Sequence, residues 1–206
     1  DLFDRRLRVN VSLFYNKFKN IQETLLSCPA LSFGIPGLCA LPVNAGDATI
    51  KGAEVEFEAH PIEHMMIDGS FSHLNFEFTS LVPNTGIPVG AEAPGTINSK
   101  YSVGIQYDAQ LGNNTLTPRL DYSYTGGFNS NAVPSANNRI EGYHLLNGRL
   151  TWKPSDSKWE VSFAGTNLLN KVYYYSDFDL TAEGGGAAYG MIAPPRTLWV
   201  NVKKKF

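Results

Sequence analysis

Three carboxylates spaced two residues apart, Glu54, Glu56 and Glu58, would share one face of an extended chain, about 7 Å from neighbour to neighbour. Paired carboxylates can do acid–base chemistry, but only in a cleft with a positioned partner, and the flanking residues offer neither. They read as a row on a polar wall, paired with basic residues of neighbouring strands such as Arg6 and Arg8. His60 and His64 have the spacing of two metal ligands on a helix, yet Pro61 follows the first and the segment reads as a tight turn. His73 and His144 are isolated and read as polar wall residues. No Gly-x-Ser-x-Gly elbow and no phosphate-cradling glycine loop occur. His144, Ser162 and Asn147 are the residue types a lipid hydrolase or acyltransferase would use, with no obvious convergence. The run Lys203-Lys204-Lys205 reads as a charged rim. With 17 Lys and Arg against 19 Asp and Glu, there is no basic stripe for nucleic-acid phosphates.

The elements that carry these residues alternate with period two. Leu7, Val9, Val11, Leu13 and Tyr15 alternate with polar residues, Phe14 excepted, so one face is apolar and the other polar. The pattern recurs from Gly52, where Ala53, Val55, Phe57 and Ala59 alternate with the glutamates. It recurs again from Met65, then slips phase to Leu74, Phe76 and Phe78, which predicts a β-bulge near Ser72-His73. Five further strands follow, through Tyr101–Tyr107, Leu116–Tyr124, Leu146–Trp152, Trp159–Phe163 and Leu198–Phe206. Eight strands and no amphipathic helix are expected from a chain of 206 residues, a length that fits one domain.

The connections alternate strictly between long and short. Long ones are expected over Glu23–Ala45, Ser80–Thr96, Phe128–Glu141 and Asn170–Pro195, and short ones over His60–His64, Ala109–Asn114 and Ser155–Lys158. In an up-and-down meander this puts every long loop at one end, an asymmetry of outer-membrane barrels for which a soluble sandwich has no reason. Tyr15, Tyr101, Tyr107, Tyr122, Tyr124, Trp152 and Trp159 end the apolar faces as two aromatic girdles would. A mean hydropathy of −0.19 does not argue against this, because barrel strands average their two faces. No stretch of about 18 apolar residues is present, which excludes a transmembrane helix. No signal-peptide pattern opens the sequence. Cys28 and Cys39 flank a Pro- and Gly-rich run; a disulfide there would clip a long loop and fit an oxidising compartment, two free thiols being the alternative.

Phe206 ends the chain with Val202, Val200 and Leu198 in phase behind it, the terminal pattern of many outer-membrane strands; Lys204 interrupts it. Four stretches, taken in order, resemble the C-terminal barrel of TonB-dependent outer-membrane receptors. They are Leu7–Tyr15 with Lys19-Asn20-Ile21-Gln22; Asn44-Ala45-Gly46-Asp47-Ala48 through Gly52-Ala53-Glu54; Gly165-Thr166-Asn167-Leu168-Leu169-Asn170-Lys171-Val172-Tyr173; and Pro195-Arg196-Thr197-Leu198. The resemblance implies an all-β, antiparallel up-and-down transmembrane segment, about eight strands at the end of a 22-stranded barrel whose lumen is plugged. It implies that the plug and the earlier strands lie elsewhere. It also implies a bacterial outer membrane, with lipid and lipopolysaccharide around the wall.

The same resemblance implies uptake of a ferric siderophore or similar large nutrient, driven by TonB and its inner-membrane motor through the plug. No reaction is catalysed and no cofactor is needed. The candidate ligand-facing residues are Arg139, Tyr173, Tyr174, Tyr175, Phe178 and Tyr189. The aromatics would stack on a planar or catecholate ligand and the guanidinium would meet an anionic one. A self-contained eight-stranded barrel with a structural or small-pore role is the alternative architecture. Its interior would be filled by side chains.

Overall fold

The computed structural model describes residues 2–27, 38–155, 158–181 and 186–205, without the side chains of 27, 38 and 39. The long strands come first: β1 (Leu7–Ser27), β2 (Leu38–Ala59) and β3 (Met65–Leu81). After a long connection follow β4 (Ser99–Tyr107), β5 (Ala109–Leu111) and β6 (Asn114–Thr125). The loop beyond β6 holds a short pair, β7 (Phe128–Asn129) and β8 (Arg139–Ile140). Then come β9 (Tyr143–Lys153), β10 (Trp159–Thr166), a loop hairpin of β11 (Tyr174–Asp179) and β12 (Ala188–Ile192), and β13 (Thr197–Lys204). The main sheet runs in the order β1-β2-β3-β4-β6-β9-β10-β13, with β5 on β6, and every pairing is antiparallel. This is the up-and-down meander that the periodicity predicts. β1 and β13 are its two edges and do not pair, so the sheet is open and the self-contained eight-stranded closure is not what this chain forms.

Register explains why the apolar residues form a belt. Val11, Val55 and Phe71 are cross-strand partners; so are Ile67, Ile105 and Leu120, and Trp152, Val161 and Val202. All of these lie on one face, the outer face, where Leu13 is 79% exposed and Val200 65%. Large side chains left so bare would be untenable in water but are what hydrocarbon requires. On β9 the belt runs from Trp152 to His144, close to the ~9 residues a tilted strand needs to cross a bilayer. Aromatic rings close its upper edge. Tyr101 lies 5.1 Å from Tyr124, which lies 4.6 Å from His144, and the Tyr122 hydroxyl is 2.8 Å from His144 Nδ1. His144 is therefore a member of the girdle and not an isolated wall residue. Where two strands must lie close beneath a ring, glycine provides the room: a Cβ on Gly69 would stand 2.6 Å from the Phe57 ring.

Three sequence expectations change. The pairing of β2 with β3 is continuous from Ala59↔Ile67 to Ala48↔Phe78, so there is no bulge at Ser72-His73. The apolar phase slips there because Leu74, Phe76 and Phe78 belong to the inner face above the belt. There Phe76 and Phe78 pack edge to face at 4.9 Å, and Phe78 joins the buried cluster of Leu25, Ala45, Ile87, Ala91 and Ala132. The register shift sits higher, between Asp47 and Ala48. The expected loop Glu23–Ala45 is largely strand, since β1 and β2 keep pairing up to Ser27↔Leu38. Shifts in register after Phe18 and Ile21 scramble the period-two signal there while leaving the ladder intact. Finally, the loops Phe128–Glu141 and Asn170–Pro195 contain the small sheets β7–β8 and β11–β12.

Candidate ligand-facing site and its supports

On the inner face, Arg119 of β6 reaches across β4 to β3. Its Nη1 and Nη2 donate to Asp68 Oδ1 and Oδ2 at 2.7 and 3.0 Å, and its Nε donates to Asp121 Oδ2 at 3.2 Å. The bridge passes over Gly104, where a Cβ would lie 2.4 Å from Arg119 Nη2. One guanidinium thus spans three strands of the wall, a fork geometry that suits two carboxylates at once. Glu54, Glu56 and Glu58 share this face. Glu58 stands across from Arg8 and also lies 3.1 Å from His60 Nε2.

Above the belt, two stretches that resemble family motifs turn out to be joints. Asp47 Oδ1 accepts from the Asn20 amide at 3.0 Å, while the Asp47 amide donates to Ser80 Oγ at 3.1 Å. The joint ties three strands together, and Gly46 fits beside Ser80 only because it lacks a Cβ, which would stand 1.9 Å from that carbonyl oxygen. Asn167, at φ 50 and 3% exposed, closes the other joint. Its Nδ2 donates to the Lys171 carbonyl at 2.9 Å and the Pro194 carbonyl at 3.3 Å, and its Oδ1 accepts from the Lys171 amide at 2.8 Å. Asparagine tolerates the left-handed backbone and brings both a donor and an acceptor, so the stretch from Asn167 to Lys171 folds as a clamp on the loop's two ends.

Two loops are latched at a buried carboxylate. Asp179, 7% exposed, accepts from Ser135 Oγ and Thr181 Oγ1 at 2.5 Å each, from the Thr181 amide at 3.0 Å and from Asn137 Nδ2 at 3.4 Å. These donors, Ser135 first, hold its carboxyl down at about 2. Ser130 Oγ donates to the Asp177 carbonyl, adding a second tie. Asn138, 1% exposed, shapes the facing loop by donating to the Val133 carbonyl and accepting from the Ser135 amide. The loop after β3 joins through Gly95, whose amide donates to the Asn129 carbonyl at 2.8 Å.

The loop that carries Asp179 also carries two members of an aromatic group. Tyr143, on the inner face at the top of β9, lies 4.2 Å from Tyr173, which lies 5.7 Å from Tyr175. Desolvation, then the hydrogen bond with Tyr175, pushes the Tyr173 phenol up to about 12. It therefore remains a neutral donor at any physiological pH. The other expected candidates do not join it. Tyr174 covers Gly190 in the β11–β12 hairpin. Phe178 and Tyr189 are cross-strand partners on that hairpin, 48% and 62% exposed. Arg139, exposed on β8, would contact a Cβ on Gly127. Tyr143 and Asp179 were not singled out by sequence. Tyr143 lies one residue before His144 but faces inward, a distinction that only register makes.

Val202, Val200 and Leu198 lie on the outer face opposite Val161, Phe163 and Gly165. Phe206 lies outside the described residues, as does the Cys28–Cys39 pairing. The enzyme-type residues do not meet: His144 is in the outer girdle, while Ser162 and Asn147 belong to the inner face. Among the described residues no group of His, Cys, Asp and Glu is arranged to hold a metal, and no helix is long and apolar enough to cross a membrane.

The comparisons agree with this architecture. The family model described as TonB dependent receptor-like, beta-barrel matches residues 1–168. The ferric-pyoverdine M114 receptor PbuA of Pseudomonas sp. (strain M114) is 25% identical over 99% of the chain and 23% of its own length. Among solved structures, the ferric yersiniabactin uptake receptor FyuA from Yersinia pestis superposes with a TM-score of 0.78 at 18% identity, over 98% of this chain and 28% of that one. BauA, the ferric preacinetobactin receptor from Acinetobacter baumannii, gives 0.69 at 24% identity, over 100% and 28%. The chain thus spans about a quarter of the length of the relatives it matches. With the meander, the apolar outer belt and the joints at both motif stretches in place, the match over most of its length establishes that this chain belongs to the TonB-dependent receptor β-barrel family.

Proposed function

We propose that the chain is the C-terminal wall and part of the extracellular rim of an outer-membrane receptor that takes up a ferric siderophore or similar large nutrient, energised by TonB. In this reading the plug and the remaining strands complete the barrel around the inner face, and TonB acts through that plug. Lipid and lipopolysaccharide surround the belt. The Cys28–Cys39 disulfide belongs to the same proposal, clipping the loop between β1 and β2.

The observation that carries the reading is the Tyr143–Tyr173–Tyr175 group, held on the inner face at the loop end by latched loops. A rim fixed before the ligand arrives spends little ordering entropy on binding, and stacked phenols suit a planar aromatic chelate. Arg139, Tyr174, Phe178 and Tyr189 would widen the surface around it. The names of the relatives are consistent with such a cargo, since they are receptors for ferric pyoverdine, ferric yersiniabactin and ferric preacinetobactin.

The test is a fluorescence-quenching titration of the complete receptor with ferric pyoverdine, ferric yersiniabactin and ferric preacinetobactin. For whichever chelate binds, replacing Tyr143 and Tyr173 together by Ala should weaken binding roughly tenfold or more, at about 1 kcal/mol per stacked ring. Unchanged affinity in a receptor that still folds would remove the aromatic group from the binding surface.

A further inference from the structure

On the inner face of β9, β10 and β13, within the span of the belt, two large side chains stand on either side of a small one. Ala164 of β10 is the cross-strand partner of Arg149 on β9 and of Trp199 on β13. Strand spacing puts the Cα atoms of Arg149 and Trp199 about 10 Å apart, on the face opposite Leu150, Phe163 and Val200. Ala164 is 5% exposed, whereas Trp199 is 43% exposed and Arg149 is exposed as well. The two strands beside β9, β6 and β10, are described throughout, and neither brings a carboxylate to Arg149. Its cross-strand partner on β6 is Arg119, a like charge. Asp121 of β6 is held by Arg119 Nη2 at 2.6 Å, and Glu160 of β10 lies 3.5 Å from Lys153 Nζ. Among the described residues, Arg149 therefore has no ion-pair partner, and beside it Trp199 turns an apolar surface inward.

We infer that Arg149 and Trp199 form the seat of an acidic segment of the plug, the guanidinium pairing with an Asp or Glu side chain and the indole covering the apolar atoms beside it. The inference deepens the reading given above and rests on it. The chain spans about a quarter of the length of the relatives it matches, so most of such a receptor lies outside it. Whatever packs against β10 at this depth covers Arg149, and a covered guanidinium without an anion is strongly unfavourable. Its forked donors suit a carboxylate, which they can hold with two parallel bonds. Arg119 does not offer the same contact, because Asp68 and Asp121 already occupy its donors. A passing anionic chelate fits the pair less well, since it would leave the guanidinium covered and unpaired whenever no cargo is in transit.

The test uses the complete receptor in outer-membrane vesicles, with Trp199→p-benzoylphenylalanine as a photo-crosslinker and peptide mass spectrometry to identify the product. The crosslink should fall on a segment that precedes the barrel strands and carries an Asp or Glu beside the attachment point. As urea is raised, R149Q in the same background should lose the crosslink at a concentration about 1 M lower, and R149K, which keeps the charge, should not. Heat-modifiable migration establishes that each variant is a folded barrel. Equal urea dependence with and without R149Q, or a crosslinked segment that lacks a carboxylate, overturns the acidic seat. So does a crosslink formed only to an added ferric chelate, which would make the pair a contact for cargo. A complete receptor with no chain ahead of its barrel strands contradicts the plug itself, and with it the reading on which the inference rests.

Discussion

Arg119 shows how much one side chain can organise. It satisfies two carboxylates, Asp68 and Asp121, on strands that flank β4, and Gly104 is the gap through which it passes. Arg119→Gln would leave two like charges facing one another without their donor. We expect a loss of about 2 kcal/mol in urea unfolding of the liposome-reconstituted receptor. Gly104→Ala should lose less, because the colliding atom is the movable end of a long side chain. If both variants unfold like the wild type, the bridge carries no stability. Little of this was legible beforehand. Arg119 and Asp121 read simply as polar-phase residues, and nothing in their spacing points to Asp68, which lies 51 residues away. Phe14 is a similar case. Its break in the alternation has a cause, since the ring lies over Gly52, where a Cβ would stand 2.6 Å from it, but the cause is on another strand.

Strands were readable from sequence along the apolar outer belt, because a strand with one apolar and one polar face must alternate residue by residue. β4, β6, β9 and β10 therefore fall close to their expected positions. Above the belt that constraint ends, and with it the regular alternation. There β1 and β2 bulge, β3 carries its apolar residues inward, and the long loops fold small sheets held by side-chain ties. The latch at Asp179 belongs to this scale. Asp179→Asn should speed amide hydrogen exchange in both joined loops, 126–142 and 167–181, and leave the belt strands unchanged; an effect confined to one loop would show that they are not coupled. The latch should also respond to acid. A carboxyl held at about 2 in the folded chain, against about 3.9 when unfolded, contributes stability that is complete above roughly pH 5 and fades as pH falls towards 2. Asp177, pushed up by burial, acts weakly in the opposite sense. Loop exchange that stays flat from pH 5 to pH 3 would contradict this assignment.

For the molecule as a whole, the architecture was legible and the cargo was not. The regular alternation of long and short connections gave the meander and its polarity, and the order of the motif stretches gave the family. An open sheet with β1 and β13 as bare edges cannot stand alone in hydrocarbon, where each unpaired backbone group costs several kcal/mol. The missing strands of the proposed barrel are therefore a physical requirement of the membrane reading. In the proposed function, selectivity for a cargo would rest on rim geometry assembled from residues far apart in sequence, such as Tyr143 and Tyr173, and on surfaces contributed by the rest of the proposed barrel and plug. The most direct test is uptake by cells grown without iron and supplied with radioactive iron bound to pyoverdine, yersiniabactin or preacinetobactin. Deleting the gene should abolish uptake of at least one chelate, and inactivating TonB should abolish the same one. Uptake of all three at the wild-type rate in the deletion strain, or uptake through this receptor that persists without TonB, would contradict the account.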